Sequence, residues 1–136
     1  MKDEYIPIMY DIVQDTSLNT GVQLPVEVEH YIVALLASHV DKPDFLPRTL
    51  AESYLTISNY RDAKTLGDTC LFVAGIFPDY KLNSKYVSDV GKSSYIHASE
   101  TIRNDLFKTL GIHFDFLSQF LNSVQDKNSL RTNFFW

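Results

Sequence analysis

The sequence predicts an all-α, single-domain helical bundle of about five helices with a short extended N-terminal arm. Apolar residues recur at helical spacing along most of the chain, which indicates amphipathic helices packed on one another. The 136 residues include only five glycines and five prolines, so long regular elements are permitted. Residues 70–77 are apolar almost throughout, a pattern typical of a helix that other helices enclose. An apolar share of 45% excludes a disordered chain.

Residues 1–24 are predicted to form the extended arm. Residues 5–13 are rich in β-branched and aromatic side chains, but Pro7 interrupts them. This combination favours an edge strand or a segment that lies on the body. The Asn-Thr-Gly sequence at 19–21 then marks a turn before the helices begin.

Residues 25–125 are predicted to form the helical core. Pro25 suits the first position of a helix, and Ser84 is a suitable N-cap for a later one. Gly67 and Gly75 lie in the third helix, where their missing side chains are expected to let neighbouring backbones approach closely. The first four helices are expected at about 25–40, 45–57, 61–77 and 84–98.

The last helix is predicted from a long apolar stripe that starts at Ile102 and ends at Val124. One helix with a slight kink at Gly111 is the favoured interpretation, and two helices that meet there are the alternative. Residues 126–136 form an aromatic tail that ends in Phe-Phe-Trp. Because exposed aromatic side chains are unfavourable in water, we expect the tail to dock on the body or on a second subunit.

Charge and composition exclude several classes of function. The formal charge is −5 and no cluster of Lys or Arg occurs, which argues against a nucleic-acid partner and against an anionic membrane surface. No apolar run is long enough for a membrane span, and the first residues lack the pattern of a signal peptide. These features predict a cytoplasmic protein. The single Cys70 lies among apolar residues and is predicted to be a buried, unreactive thiol.

No catalytic, metal-binding or cofactor-binding motif is present. The sequence lacks a nucleophile elbow, a phosphate loop and a dinucleotide fingerprint. No histidine lies four positions from another, so no helix presents a ready pair of metal ligands. We therefore predict no catalytic residue, no metal and no cofactor, and a histidine–carboxylate site assembled across helices is the alternative.

Four residues are candidates for ligand binding. Asp68 lies one turn after Lys64, so a local ion pair is the simplest interpretation, and a carboxylate at a pocket mouth, bonded to a tyrosine of the fourth helix, is the alternative. The tyrosines of the fourth helix either seal the rim of the core or line a ligand site or interface. The predicted site lies between the third and fourth helices and comprises Asp68, Tyr86, Tyr95 and His97.

One stretch resembles the signature of a family of uncharacterised helical bacterial proteins. It is the run GDTCLFVAGIFP at 67–78, followed by Tyr86-x4-Gly91-x3-Tyr95. The resemblance covers about 25–125, with Ser94 where related chains often have alanine. The family has no established activity, so the resemblance implies a helical fold and a bacterial origin.

Two hypotheses for function follow. The preferred one is a non-enzymatic helical interaction module that self-associates, as a homodimer, or binds a protein partner. It accounts for the many close-packing and aromatic positions beside the lack of a catalytic grouping. The alternative is a small-molecule-binding protein or an enzyme, with a pocket between the third and fourth helices.

Overall fold

The computed structural model describes residues 2–40, 50–79 and 83–135, and these form an all-α domain as predicted. No strand occurs within these ranges, and none of the helices in them is long and apolar enough to cross a membrane. A 3-10 turn at Lys2–Tyr5 precedes α1. The helices are α1 (Ile6–Thr20), α2 (Val26–Ser38), α3 (Leu50–Leu55), α4 (Tyr60–Ile76), α5 (Ser84–Ile102), α6 (Asp105–Ile112), α7 (Phe114–Asn128) and α8 (Leu130–Asn133).

The predicted extended arm is wrong, because most of the N-terminal segment is the 15-residue helix α1. Pro7 lies in the first turn, where its missing N–H removes no helical hydrogen bond. Met9 and Val13 lie one turn apart and are buried against the body, and Gly21, with φ 72°, ends the helix. Burial of this face outweighs the β-branched composition, since propensity is a weak preference.

The central helix is α4, as predicted. It packs against α5 and α7, with further contacts to α2 and α3. Every residue of 70–77 is buried except Ala74, which is half-buried. Burial raises the pKa of the Cys70 thiol to about 12, so the thiol stays protonated and unreactive, also as predicted.

The glycines of the bundle admit side chains from neighbouring helices. A Cβ atom added at Gly67 would lie 2.8 Å from Cδ1 of the Tyr95 ring, so only glycine leaves room for that ring. The glycines of α4 therefore permit close packing, but aromatic and leucine side chains fill the space, and not the neighbouring backbones that the sequence predicted. The equivalent pairs are Gly75 with Leu121 and Gly91 with Phe114.

The start of α5 differs from the prediction. The N-cap is Asn83, whose Oδ1 accepts hydrogen bonds from the backbone amides of Lys85 and Tyr86 at 2.9 and 3.2 Å. The predicted cap, Ser84, is the first residue of the helix itself. An asparagine cap satisfies the same free N–H groups, and the two residue types have similar preferences for this position.

The favoured single last helix is wrong, and its alternative of two helices is correct. The chain breaks at His113, between α6 and α7. The two helices pack on different partners: α6 lies mainly on α5, whereas α7 lies mainly on α4. A continuous helix with a slight kink cannot follow both partners, so the chain changes direction between them.

The aromatic tail docks on the body, one of the two predicted outcomes. Phe135 is buried with its ring edge-on to Phe72, at a centroid distance of 4.8 Å. Phe134 lies near Tyr5, which ties the tail to the N-terminal turn. Trp136 lies outside the described residues, as does the first part of the predicted helix at 45–57.

Candidate functional site

Asp68 lies where α2, α4 and α5 meet. Its Oδ1 accepts hydrogen bonds from the hydroxyls of Tyr31 and Tyr95 at 2.6 and 2.7 Å. Its Oδ2 accepts one from Nζ of Lys64 at 2.9 Å, and the Asp68 side chain is 13% exposed. The ion pair with Lys64 and the bond from a tyrosine of the predicted fourth helix therefore occur together. We call these four residues the Asp68 cluster.

The surroundings of the Asp68 cluster keep its two tyrosines protonated. Burial, and then the negative charge of Asp68, raise the pKa of the Tyr31 and Tyr95 hydroxyls well above its ordinary value. Both hydroxyls therefore remain donors to the carboxylate. The Lys64 ammonium also lies 5.5 Å from the centroid of the Tyr31 ring. With three donors on one carboxylate, the cluster joins three helices.

The structure brings together only two of the four predicted site residues. Asp68 and Tyr95 are bonded to each other, whereas Tyr86 and His97 are exposed on the outer side of α5. Each residue of a helix turns by about 100°, so Tyr86 and Tyr95 point to opposite sides of α5. The four side chains therefore do not converge on one cavity. Tyr31 was not among the predicted site residues. Its position beside the apolar stripe of the first predicted helix could have indicated that it lies near the core.

A cleft of about 500 Å³ lies between α4, α5 and α7, the first two being the predicted third and fourth helices. On its rim, Asp115 accepts hydrogen bonds from Ser88 Oγ at 2.5 Å and Lys92 Nζ at 2.6 Å. The bond from Lys92, and then that from Ser88, lowers the pKa of the Asp115 carboxyl. Sequence reasoning missed this group, because Ser88 and Asp115 are 27 positions apart. The apolar floor is formed by Val73, Ala74, Phe77 and Val87.

A second cavity, of about 480 Å³, lies between α1 and α2, and we call it the α1–α2 groove. Two apolar side chains at its edge are largely exposed, Leu18 at 82% and Val26 at 66%. Exposed apolar side chains at the edge of a groove are accessible for contact with another molecule. The lining residues are Tyr10, Gln14, Ser17, Leu18, Gly21, Val22, Gln23, Leu24, Val26 and Glu29.

One buried polar group in the α1–α2 groove has no described hydrogen-bond partner, and a second group, the carboxylate of Glu29, has no described ion pair. Glu29 is only 8% exposed, and its carboxylate accepts a hydrogen bond from the neutral amide of Gln14 at 3.0 Å. Within the described ranges, no Lys or Arg forms an ion pair with it. The Ser17 hydroxyl is buried and has no hydrogen-bond partner among the described residues. Such groups are uncommon in folded proteins, so each calls for an explanation.

The net charge of the chain is concentrated in the segment that forms this groove, with Glu29 as the acidic residue that lines it. Residues 1–40 contain six acidic residues and a single basic one, whereas residues 41–136 contain eleven of each. The first 40 residues therefore account for the whole formal charge of −5. The sequence alone contains this asymmetry, but the net charge of the whole chain does not show it.

The described part of the chain contains no group of three or more His, Cys, Asp or Glu side chains placed to hold a metal ion. Comparison with protein-family models, with curated proteins and with solved structures finds no match to this chain. The resemblance carried by the 67–78 motif therefore stays a prediction. The α1–α2 groove, with its exposed apolar edge and acidic surroundings, is the best candidate for a functional site.

Proposed function

We propose that the protein is a non-enzymatic helical interaction module that binds a protein partner through α1 and α2. The observation that carries this proposal is the coincidence of two features on one helix pair. The exposed apolar side chains of Leu18 and Val26 flank a groove, and the whole net charge of the chain lies in the same 40 residues. Apolar contact supplies affinity, and charge supplies attraction over distance and selectivity between partners.

The same charge argues for a partner that differs from this chain at this face. Two copies joined through α1 and α2 would bring two strongly acidic surfaces together, and like charges in an interface are unfavourable. Homodimerisation, the other form of association expected from the sequence, would therefore use another surface. We place the partner in the bacterial cytoplasm, in line with the location and origin expected from the sequence.

Site-specific photo-cross-linking in cells that express the protein tests the proposal. A photoreactive amino acid at Leu18 is expected to give a discrete adduct with another protein. The matched control is Leu55, also a leucine and 81% exposed, on α3, which packs against α4 and α5. Adducts of equal yield at both positions, or none at Leu18, would contradict the proposal. An adduct with the mass of two copies of this chain would indicate self-association instead.

Small-molecule binding is the second candidate, and the cleft between α4, α5 and α7 favours it. The cleft combines an apolar floor with the side chains of Lys85, Asp89, Lys92 and Asp115, whose formal charges cancel. Such a site suits a small polar ligand that both donates and accepts hydrogen bonds. Screening of zwitterionic fragments by NMR tests it. Specific changes in the amide chemical shifts of Ser88 and Lys92 would support small-molecule binding at this cleft, and unchanged spectra would contradict it.

A further inference from the structure

We propose that the α1–α2 groove binds a basic segment of a partner protein, in which an arginine pairs with Glu29 while an adjacent apolar side chain packs on Leu18 and Val26. This inference rests on the proposed function and adds the chemistry of the partner. It follows from four observations: the buried Glu29 without a described ion pair, the buried Ser17 hydroxyl without a described partner, the apolar edge of the groove, and the net charge of residues 1–40.

Glu29 is the main indication of a cationic group. A carboxylate removed from water is unfavourable unless a cation or several hydrogen bonds compensate it. Glu29 is nine-tenths buried and receives its described hydrogen bond from a neutral amide. Lys2 is the single basic residue of the first 40, and none of the described ion pairs involves Glu29. A cation from another molecule would supply the missing partner.

Ser17 indicates which cation fits. Its buried hydroxyl lines the same groove and has no partner within the described ranges, so its oxygen is free to accept a hydrogen bond. A guanidinium group has five donors in a fixed planar arrangement, enough to bond both a carboxylate and a hydroxyl that line the same groove. It is also more weakly hydrated than an ammonium group, so it loses less on entering a partly buried site. These properties favour arginine over lysine.

The edge of the groove indicates what lies beside the arginine. Leu18 and Val26 project from opposite helices of the pair, and the half-buried Val22 lies in the connection between them. A leucine or isoleucine of the partner would cover these side chains and exclude water from the ion pair, which strengthens it. The exposed carboxylates of Asp11 and Asp15, on α1 before Leu18, attract further basic residues of the segment.

Peptide titration of the full chain, followed by NMR, tests the inference. The probe is a synthetic peptide in which arginine–leucine pairs alternate with serine pairs. It is expected to shift the amide signals of Ser17, Leu18, Val26 and Glu29. Two control peptides carry glutamine in place of arginine, or serine in place of leucine, and both are expected to bind at least about tenfold more weakly. Equal binding of the glutamine peptide would overturn the inference.

Two protein variants separate the specific ion pair from general attraction. Glu29→Gln is expected to weaken binding of the arginine peptide by at least about tenfold. The matched control, Glu27→Gln, removes the same charge from an exposed position of the same helix and is expected to change affinity less than about threefold. If the two variants lose affinity for the arginine peptide equally, the effect comes from net charge alone, and the proposed ion pair with Glu29 is wrong. Ser17→Ala, which keeps the charge, is expected to weaken arginine binding while the fold is retained.

The results also distinguish failure of this inference from failure of the proposed function. If the peptides do not bind specifically but the Leu18 cross-link to another protein is observed, the proposed function is supported. The inference that the partner supplies a basic segment is then wrong. A cross-linked partner whose attached segment lacks arginine has the same meaning. If the Leu18 cross-link is absent as well, both proposals fail.

Discussion

The Asp68 cluster and the α1–α2 groove each contain a largely buried carboxylate, but the two carboxylates differ in the hydrogen bonds that they accept. Asp68 accepts hydrogen bonds from two tyrosine hydroxyls and a lysine ammonium, which come from three segments of the chain. Glu29 accepts a hydrogen bond from a neutral amide, and the same groove is lined by a serine hydroxyl without a described partner. A completed polar network fixes helices relative to one another, whereas an incomplete one is suited to receive groups from another molecule. This difference indicates a structural role for the Asp68 cluster, and it is the basis of our proposal that the N-terminal helix pair binds a partner.

The largest expected difference between the two regions concerns apolar side chains. Phe114→Ala should lower the free energy of unfolding by about 3–5 kcal/mol, because the buried ring fills the space over Gly91 and its removal leaves a cavity. Leu18→Ala should change stability by less than about 0.5 kcal/mol, since that side chain is exposed. Urea unfolding followed by circular dichroism measures both. A cost at Leu18 comparable to that at Phe114 would show that Leu18 belongs to the core.

The same conservative substitution at the two carboxylates sharpens the comparison. Asp68→Asn should cost about 1–3 kcal/mol, because the charge-assisted bonds from Tyr31, Tyr95 and Lys64 are weakened. Glu29→Gln should leave the stability of the free protein unchanged or raise it by up to about 1 kcal/mol, because a buried charge without a cation is removed. Thermal and urea unfolding of the two variants measure the difference. A loss in Glu29→Gln as large as in Asp68→Asn would mean that Glu29 is a structural residue.

Alkaline pH should act on the bundle through the tyrosines of the Asp68 cluster. Their pKa is raised in the folded protein above the ordinary value of 10.0, so above about pH 10 the unfolded chain loses these protons first. Their contribution to stability is complete below that pH and should decline above it, by roughly 1 kcal/mol per pH unit for each tyrosine. Unfolding of a Tyr31→Phe, Tyr95→Phe double variant should depend less steeply on pH in this range. An unchanged slope would contradict the raised pKa.

The smallest expected effect is a gain in stability at the groove. Ser17→Ala removes a buried hydroxyl that has no described partner and adds the residue with the best helix propensity. The free energy of unfolding should rise by about 1 kcal/mol. Ser94→Ala is the matched control, because its buried hydroxyl already donates to the carbonyl of Val90 and little gain is expected there. A loss of stability in Ser17→Ala would show that the hydroxyl has a partner in solution.

Much of the bundle was predictable from local pattern. The apolar run at 70–77 and the glycines of α4 indicated an enclosed central helix, because only complete burial tolerates that composition. The ion pair of Asp68 with Lys64 followed from their spacing of one helical turn. The helix at Ile6–Thr20 was not predicted, because its β-branched residues indicate a strand until burial against α2 and α7 is known.

The residues of the candidate site were less predictable from the sequence than the helices. Tyr95 was identified with Asp68, but Tyr31 was not, since it lies 37 positions earlier on a different helix. Tyr86 and His97 were grouped with Tyr95 by closeness in sequence, although helical rotation points them to the other side of α5. The Ser88–Asp115 bond and the Glu29–Gln14 bond likewise join segments whose meeting no local pattern encodes.

The sequence by itself determined the helical class, the enclosed position of α4, the buried thiol of Cys70 and the uneven distribution of charge. These depend on spacing and composition, which act within one helix or over a whole segment. Only the tertiary structure decided that the N-terminal segment is helical, that the chain turns between α6 and α7, and which polar groups meet. The reason is physical: burial and long-range hydrogen bonds depend on the packing of segments that are distant in sequence, and their free energies outweigh local preferences.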